Sequence, residues 1–156
     1  MIYIFLPVYN EEENIFELLS SIEKFWKKQI NSESVKIIIV NDGSSDQTHL
    51  KIKEFEEKCK LNNYQNFKIF YIQHNINSGL GSAIKTGFET FNEEACVVVM
   101  ADGSDDLSSI NGMYGLFCQG FHIVCASRYM RNGRQIGGGF KKLLSKTAGK
   151  IIYYLS

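Results

Sequence analysis

The sequence predicts an α/β fold, a doubly wound, mostly parallel sheet with helices on both faces, and three observations predict it. Strand-like and helix-like segments alternate at least four times along the 156 residues, the pattern of parallel strands joined by crossover helices. The run Val97-Val98-Val99-Met100 is apolar without alternation, as a strand covered on both faces requires. Each strand-like run also ends in polar or turn-forming residues: Asn10 and Glu11, Asp42 and Ser44, Asn75 and Asn77, Asp102 and Ser104, Ser127 and Arg128. Parallel strands carry such ends to one edge of the sheet, where ligands bind in this architecture.

The elements follow in order. Ile2 to Val8 is a short apolar strand, after which Ile15, Leu18, Leu19, Ile22, Phe25 and Trp26 recur at helical spacing. Val35 to Val40 is the second strand, closed by Asn41-Asp42-Gly43-Ser44-Ser45-Asp46, and Leu50, Phe55 and Cys59 mark the helix behind it. Phe67 to Ile72 is the third strand; His74 to Gly79 leads into a helix near Ser82 to Phe91. Cys96 to Met100 is the fourth strand, followed by a helix around Ser108 to Cys118 and a fifth strand, Phe121 to Ala126. Ser44, Asp46, Ser78 and Asp106 are placed to cap the helices that follow them.

Composition narrows the class. One proline, no low-complexity tract, 44% hydrophobic and 22% charged residues describe a folded globular chain of a size for one domain, residues 1–156. The net charge is zero but uneven, because Ser127 to Ser156 holds seven Lys or Arg and no acid. A basic section on an acidic body suits a phosphate or a membrane surface rather than nucleic acid. Cys59, Cys96, Cys118 and Cys125 lack the spacing of a zinc site or a disulfide frame, as thiols of a reducing compartment do. No signal peptide and no run of ~20 apolar residues is visible, so the expected location is cytoplasmic.

Chemistry concentrates after the fourth strand, where Asp102, Asp105 and Asp106 crowd around Gly103 and Ser104. Three carboxylates repel one another unless a cation lies between them, and a hard divalent ion prefers such oxygen ligands; the competing reading is a solvated turn. Arg128 to Phe140, with Arg131, Arg134 and four glycines, reads as a loop that closes arginines over phosphate or as a surface connection. From Lys141 to Ile152, lysines interleave with Leu143, Leu144, Ala148, Ile151 and Ile152. This amphipathic basic helix lies on a membrane interface or packs on the sheet, and packing is the commoner outcome.

Four segments together, Leu6-Pro7-Val8-Tyr9-Asn10-Glu11-Glu12, Val40-Asn41-Asp42-Gly43-Ser44-Ser45-Asp46-Gln47-Thr48, Asn77-Ser78-Gly79-Leu80-Gly81 and Ala126-Ser127-Arg128-Tyr129, resemble the family-2 glycosyltransferases of GT-A (Rossmann-like) fold. Within that family the chain is most similar to polyprenyl-phosphate sugar synthases of the dolichol-phosphate mannose synthase type. The resemblance implies that Pro7, Tyr9, Glu11, Val40 and Asp42 hold the base and ribose of a UDP- or GDP-sugar. Gly79, Lys85 and Ala101 would complete the donor site, with Gly79 and Gly81 allowing close backbone approach. It implies a Mg2+ or Mn2+ ion on Asp102, helped by Ser104 and Asp105, and Arg128 near the diphosphate, making Asp102 and Arg128 the catalytic pair. Many members carry Asp-Ala-Asp here; aligning the alanines puts Met100 at the first acid. A thioether ligates such ions poorly, so Met100 is expected in the core. His74 at the strand end polarises a substrate or is a hydrogen-bonded structural histidine.

The implied reaction is transfer of a hexose, with inversion, to polyprenyl phosphate, whose oxygen is already ionised near neutral pH. A glycan hydroxyl acceptor would need a base, and the section after Ser127 has no acid. Relatives of this type extend beyond the equivalent of Ser156, so the chain is expected to be C-terminally truncated, with peripheral membrane contact through its basic helix. The alternative is a non-catalytic nucleotide-sugar-binding module. Dinucleotide binding is disfavoured because Pro-Val-Tyr-Asn-Glu follows the first strand in place of a glycine fingerprint. Nothing in the sequence indicates an oligomeric state.

Overall fold

The computed structural model describes residues 2–29, 35–62, 64, 67–90 and 95–126. The chain divides into two compact units, Met1–Val124 and Cys125–Ser156, and the first carries every element below. In chain order these are β1 (Ile2–Val8), α1 (Ile15–Gln29), β2 (Val35–Asn41), α2 (Thr48–Leu61), β3 (Phe67–Gln73), α3 (Leu80–Phe88), β4 (Ala95–Val98) and α4 (Ser109–Cys118). All pairings are parallel, in the order β3-β2-β1-β4.

All seven residues of β1 are buried, as a central strand between two helical layers demands. Period-two alternation divides them. Ile2, Ile4, Leu6 and Val8 join Val35, Ile37 and Ile39 of β2 in a core with Ile15, Leu19 and Ile22 of α1, Ile52 and Phe55 of α2, and Ile110 of α4. Tyr3, Phe5, Ile38 and Val40 point the other way, against Ala83 of α3. Each wholly buried Ile or Phe contributes roughly 1.5–3 kcal/mol through removal of apolar surface from water. On the α3 side the fit is tight: a Cβ on Gly87 would come within 2.5 Å of the Phe5 ring.

Two expectations are corrected. β4 stops at Val98 rather than Met100. The Val99 N–H still donates to Phe5 O at 2.9 Å, but the Met100 N–H donates to the Asp105 carboxylate and leaves the ladder. The fifth strand does not form: residues 121–126 have no strand structure, and Phe121 and Ile123 are exposed. A strand persists only where its N–H and C=O groups find a ladder, and among the described residues nothing pairs with this segment. The loop 128–140 and the basic helix 141–152 lie outside the described residues.

Candidate functional site

β1, β2 and β3 run outward in sequence on one side, and the chain then returns to place β4 on the opposite side of β1. That reversal opens a crevice beyond the carboxyl ends of β1 and β4, the usual ligand position of doubly wound sheets. A cavity of about 250 Å3 lies at these strand ends, walled by residues that include Pro7, Tyr9, Glu11, Asp42, Met100 and Asp102. α3 and its leading loop close it with Asn77, Gly79, Leu80 and Ala83.

The loops after β1 and β2 hold each other. The Asn10 N–H donates to Ser44 Oγ at 2.9 Å, and the Ser45 N–H donates back to Asn10 Oδ1 at 2.9 Å. Asn10 adopts φ 53°, a left-handed conformation that asparagine tolerates better than most residues. Further along, Glu11 N–H donates to Thr48 Oγ1, Glu12 N–H to Asp46 Oδ2, and Gln47 N–H to Glu12 Oε2. Ser44 and Asp46 are therefore tied to the neighbouring loop. Gln47 occupies the α2 cap without a side-chain bond, while Asp46 Oδ1 accepts the Thr48 N–H. Tyr9, next to this loop contact, is about half exposed, at 46%, and lines the cavity.

Asn41 and Asp42, adjacent at the end of β2, are both buried and serve different loops. Asn41 Oδ1 accepts from Ser44 N–H and Oγ–H, and its amide donates to the Tyr71 hydroxyl. Asp42 Oδ1 accepts from His74 Nδ1 at 2.6 Å and Ser78 N–H at 3.0 Å, and Oδ2 from Gly79 N–H at 2.7 Å. Burial pushes the Asp42 carboxyl up, but the hydrogen bonds from His74, Ser78 and Gly79 outweigh it and hold the group below its ordinary range. Asp42 is thus ionised, so His74 Nδ1 carries the proton it donates. His74 Nε2 meets Thr86 Oγ1 at 3.0 Å. Gly79, at φ 88° and ψ 160°, takes a positive-φ conformation that is essentially reserved to glycine; no side chain caps α3, and Asp42 instead holds the two residues before it, Ser78 and Gly79.

Of the expected site residues, Pro7, Tyr9, Glu11, Asp42, Gly79, Ala101 and Asp102 come together on one cavity. Val40 is wholly buried beneath it, packed with Phe5 and Ala83. Lys85 is exposed on α3 and is not among the cavity residues. Gly81 has open space where a Cβ would lie, so no protein atom requires a glycine there. Asp105 turns its carboxylate onto the Met100 N–H at 2.8 Å. Asp106, three residues before α4 begins, accepts from Ser108 N–H and Oγ–H. Arg128 lies outside the described residues. Met100 corrects an expectation, being 37% exposed and on the cavity wall; alternation sets it on the face opposite buried Val99 and Ala101. Asn77, one of the expected strand-end residues, also lines the cavity; Leu80 and Ala83 were missed, although Leu80, Ala83, Ile84 and Gly87 repeat at the spacing of one helix face.

For a metal ion, Asp102 is the acid of the turn after β4 that stands on the cavity wall: it is exposed, and its Oδ1 accepts the Ser104 N–H at 2.9 Å. Among the described residues no group of three His, Cys, Asp or Glu side chains is arranged to hold a metal. One carboxylate fits an ion that arrives with phosphate oxygens and water, the usual habit of Mg2+; it does not make an all-protein cage. No described helix is long and apolar enough to cross a membrane.

The chain is 30% identical over 146 residues to a dolichol-phosphate mannosyltransferase of Pyrococcus furiosus, covering 93% of this chain and 38% of that protein. Two solved structures share the GT-A fold. The mannosyltransferase PcManGT from Pyrobaculum calidifontis, in complex with GDP-Man and Mn2+, matches with TM-score 0.54 and 20% identity over 65% of this chain and 27% of its own. TarS 1-349 of S. aureus, in complex with UDP-GlcNAc, matches with TM-score 0.57 and 23% identity over 88% of this chain and 37% of its own. The chain thus spans less than two fifths of each of these proteins. The model of the family described as Glycosyl transferase family 2 matches residues 3–154, nearly the whole chain, and the protein belongs to that family.

Proposed function

We propose that this chain binds a nucleotide-diphosphate sugar, UDP- or GDP-linked, and serves transfer of its hexose with inversion to polyprenyl phosphate. The carrying observation is the convergence of Tyr9, Asp42 and Asp102 from three strand ends on one cavity. The dolichol-phosphate relative supports the lipid acceptor, and the sugar nucleotides bound by the two structural neighbours support the donor class.

In this reading Tyr9 stacks on the base, and the Asp42 carboxylate accepts an N–H or O–H of the nucleoside. Asp102 and Ser104 hold a divalent cation together with the diphosphate. That ion, when bound, supplies positive charge to the departing diphosphate. Arg128 shares that task by the likeness of Ser127-Arg128-Tyr129 to the family segment. A phosphate acceptor brings its own charged oxygen, so this chain needs no strong base to ready it. The basic run from Lys141 to Lys150 supplies charge that anionic headgroups attract, which suits work at the cytoplasmic face of a membrane.

Thermal unfolding with UDP, GDP and Mn2+, followed by transfer from labelled donors to a short polyprenyl phosphate, tests this. Nucleotide stabilisation that requires the metal, with labelled lipid formed, is the expected result; no stabilisation by either nucleotide sinks the reading. A second reading, donor binding without transfer, is favoured by Met100, which sets a thioether on the same cavity wall as Asp102. Stabilisation without labelled lipid would select it.

A further inference from the structure

Asp42 is tied to more partners than a ligand-binding carboxylate requires. An ionised carboxylate offers about four lone-pair sites. His74 Nδ1 and Ser78 N–H take two on Oδ1, and Gly79 N–H takes one on Oδ2. About one remains, on a side chain that lines the cavity while only 4% exposed. The two backbone donors come from the loop that leads into α3. The third comes from His74, just past β3, whose N–H continues the strand ladder onto Asn41 O at 2.9 Å. The ring's other nitrogen is held by Thr86 within α3 at 3.0 Å. The imidazole therefore links a strand end, the buried carboxylate and a helix.

We propose that His74 is a positioning residue for nucleotide binding: held between Asp42 and Thr86, it fixes the carboxylate so that its last free lone pair meets a nucleoside donor. The proposal rests on the nucleotide-sugar reading of the cavity. The Asp42 carboxylate torsion is broad and two-fold, and without the imidazole donor Oδ1 keeps only the Ser78 N–H. The acceptor for the ligand then loses its direction while the cavity wall remains. Thr86 acts one step further back, fixing the ring so that Nδ1 points at Asp42.

Calorimetric titration of UDP and GDP with Mn2+ into the unsubstituted chain, His74→Leu, His74→Asn and Thr86→Val, with urea unfolding of each, tests this. Loss of a charge-assisted hydrogen bond gives about a tenfold or greater rise in Kd for His74→Leu, and Thr86→Val a rise of roughly threefold. His74→Asn, whose amide N–H can stand where Nδ1 does, stays within about threefold of the unsubstituted chain. A purely structural role would move urea midpoints and leave the Kd of folded variants alone. Equal affinity in folded His74→Leu and Thr86→Val overturns the proposal, as does His74→Asn binding as weakly as His74→Leu. If His74→Leu does not fold, Thr86→Val decides. If the unsubstituted chain binds neither nucleotide, the nucleotide reading falls, and this proposal with it.

Discussion

The backbone N–H of Met100 donates to Asp105 Oδ2 at 2.8 Å, so two acids three residues apart do different work: Asp105 ties down the end of β4, and Asp102 stands on the cavity wall. Asp105→Ala should cost about 1–2 kcal/mol of stability and leave metal-dependent stabilisation by nucleotide intact. Asp102→Ala should change stability by less than about 0.5 kcal/mol and abolish that dependence. Thermal unfolding with and without Mn2+ and nucleotide separates the two, and exchanged outcomes would hand the ion to Asp105.

Gly43 makes the close approach of two loops feasible. It sits at φ 67°, and a Cβ there would come within 2.5 Å of Ile76 C and Asn77 N, backbone atoms that cannot swing aside. Gly43→Ala should lower stability by at least about 2 kcal/mol, combining left-handed strain with the clash. Because Asn77 lines the cavity, nucleotide affinity should fall as well. A urea midpoint equal to that of the unsubstituted chain would contradict this.

Glu23 of α1 is buried with Lys27, Lys58 and Tyr64 around its carboxylate. Burial pushes the group up, but hydrogen bonds from Lys27, Lys58 and Tyr64 outweigh it and lower the pKa to about 2. A carboxyl held below its unfolded value stabilises the fold at neutral pH. That contribution, up to about 3 kcal/mol, is lost as pH falls from the ordinary glutamate range through about 2. Urea midpoints at pH 7 and pH 3 should therefore diverge, and Glu23→Gln should shrink the difference while lowering stability at pH 7.

The four cysteines should label in two classes. Burial pushes the thiols of Cys59 and Cys96 up to about 11, whereas Cys118 and Cys125 are exposed. Since the thiolate is the reactive form, an aromatic disulfide reagent at pH 8 should titrate two thiols quickly in the native protein and four in urea. Four fast thiols in the native state would contradict the shielding of the half-buried Cys59 and Cys96.

Periodicity exposed the architecture because each core face repeats every second or every third to fourth residue. Ile2 to Val8 and Ile15 to Trp26 are examples, recovered almost residue for residue. Strand-end polarity likewise pointed to Glu11, Asp42 and Asp102, since parallel strands must deliver their ends to one edge, whereas Pro7, Tyr9, Gly79 and Ala101 came from the resemblance to the family-2 glycosyltransferases. Facing was harder to read. Met100 looked like core because it closes an apolar run, yet the ladder ends before it and alternation turns it to the cavity. His74 was legible as a hydrogen-bonded strand-end residue, but its partners, Asp42 and Thr86, lie 32 and 12 residues away, and no local pattern encodes such separations. Phe121 to Ala126 has strand composition but no ladder to join among the described residues, and pairing is not written in composition.

The reciprocal bonds between the loops after β1 and β2, from Asn10 with Ser44 and Ser45 to Glu12 with Asp46 and Gln47, make one inheritable unit of two stretches about 35 residues apart in the chain. Grafting either stretch alone from a homologue with different side chains would strand donors and acceptors on both. Chimeras that exchange the two together keep their matching pairs, so recombination breakpoints between β1 and β2 should be poorly tolerated in this protein.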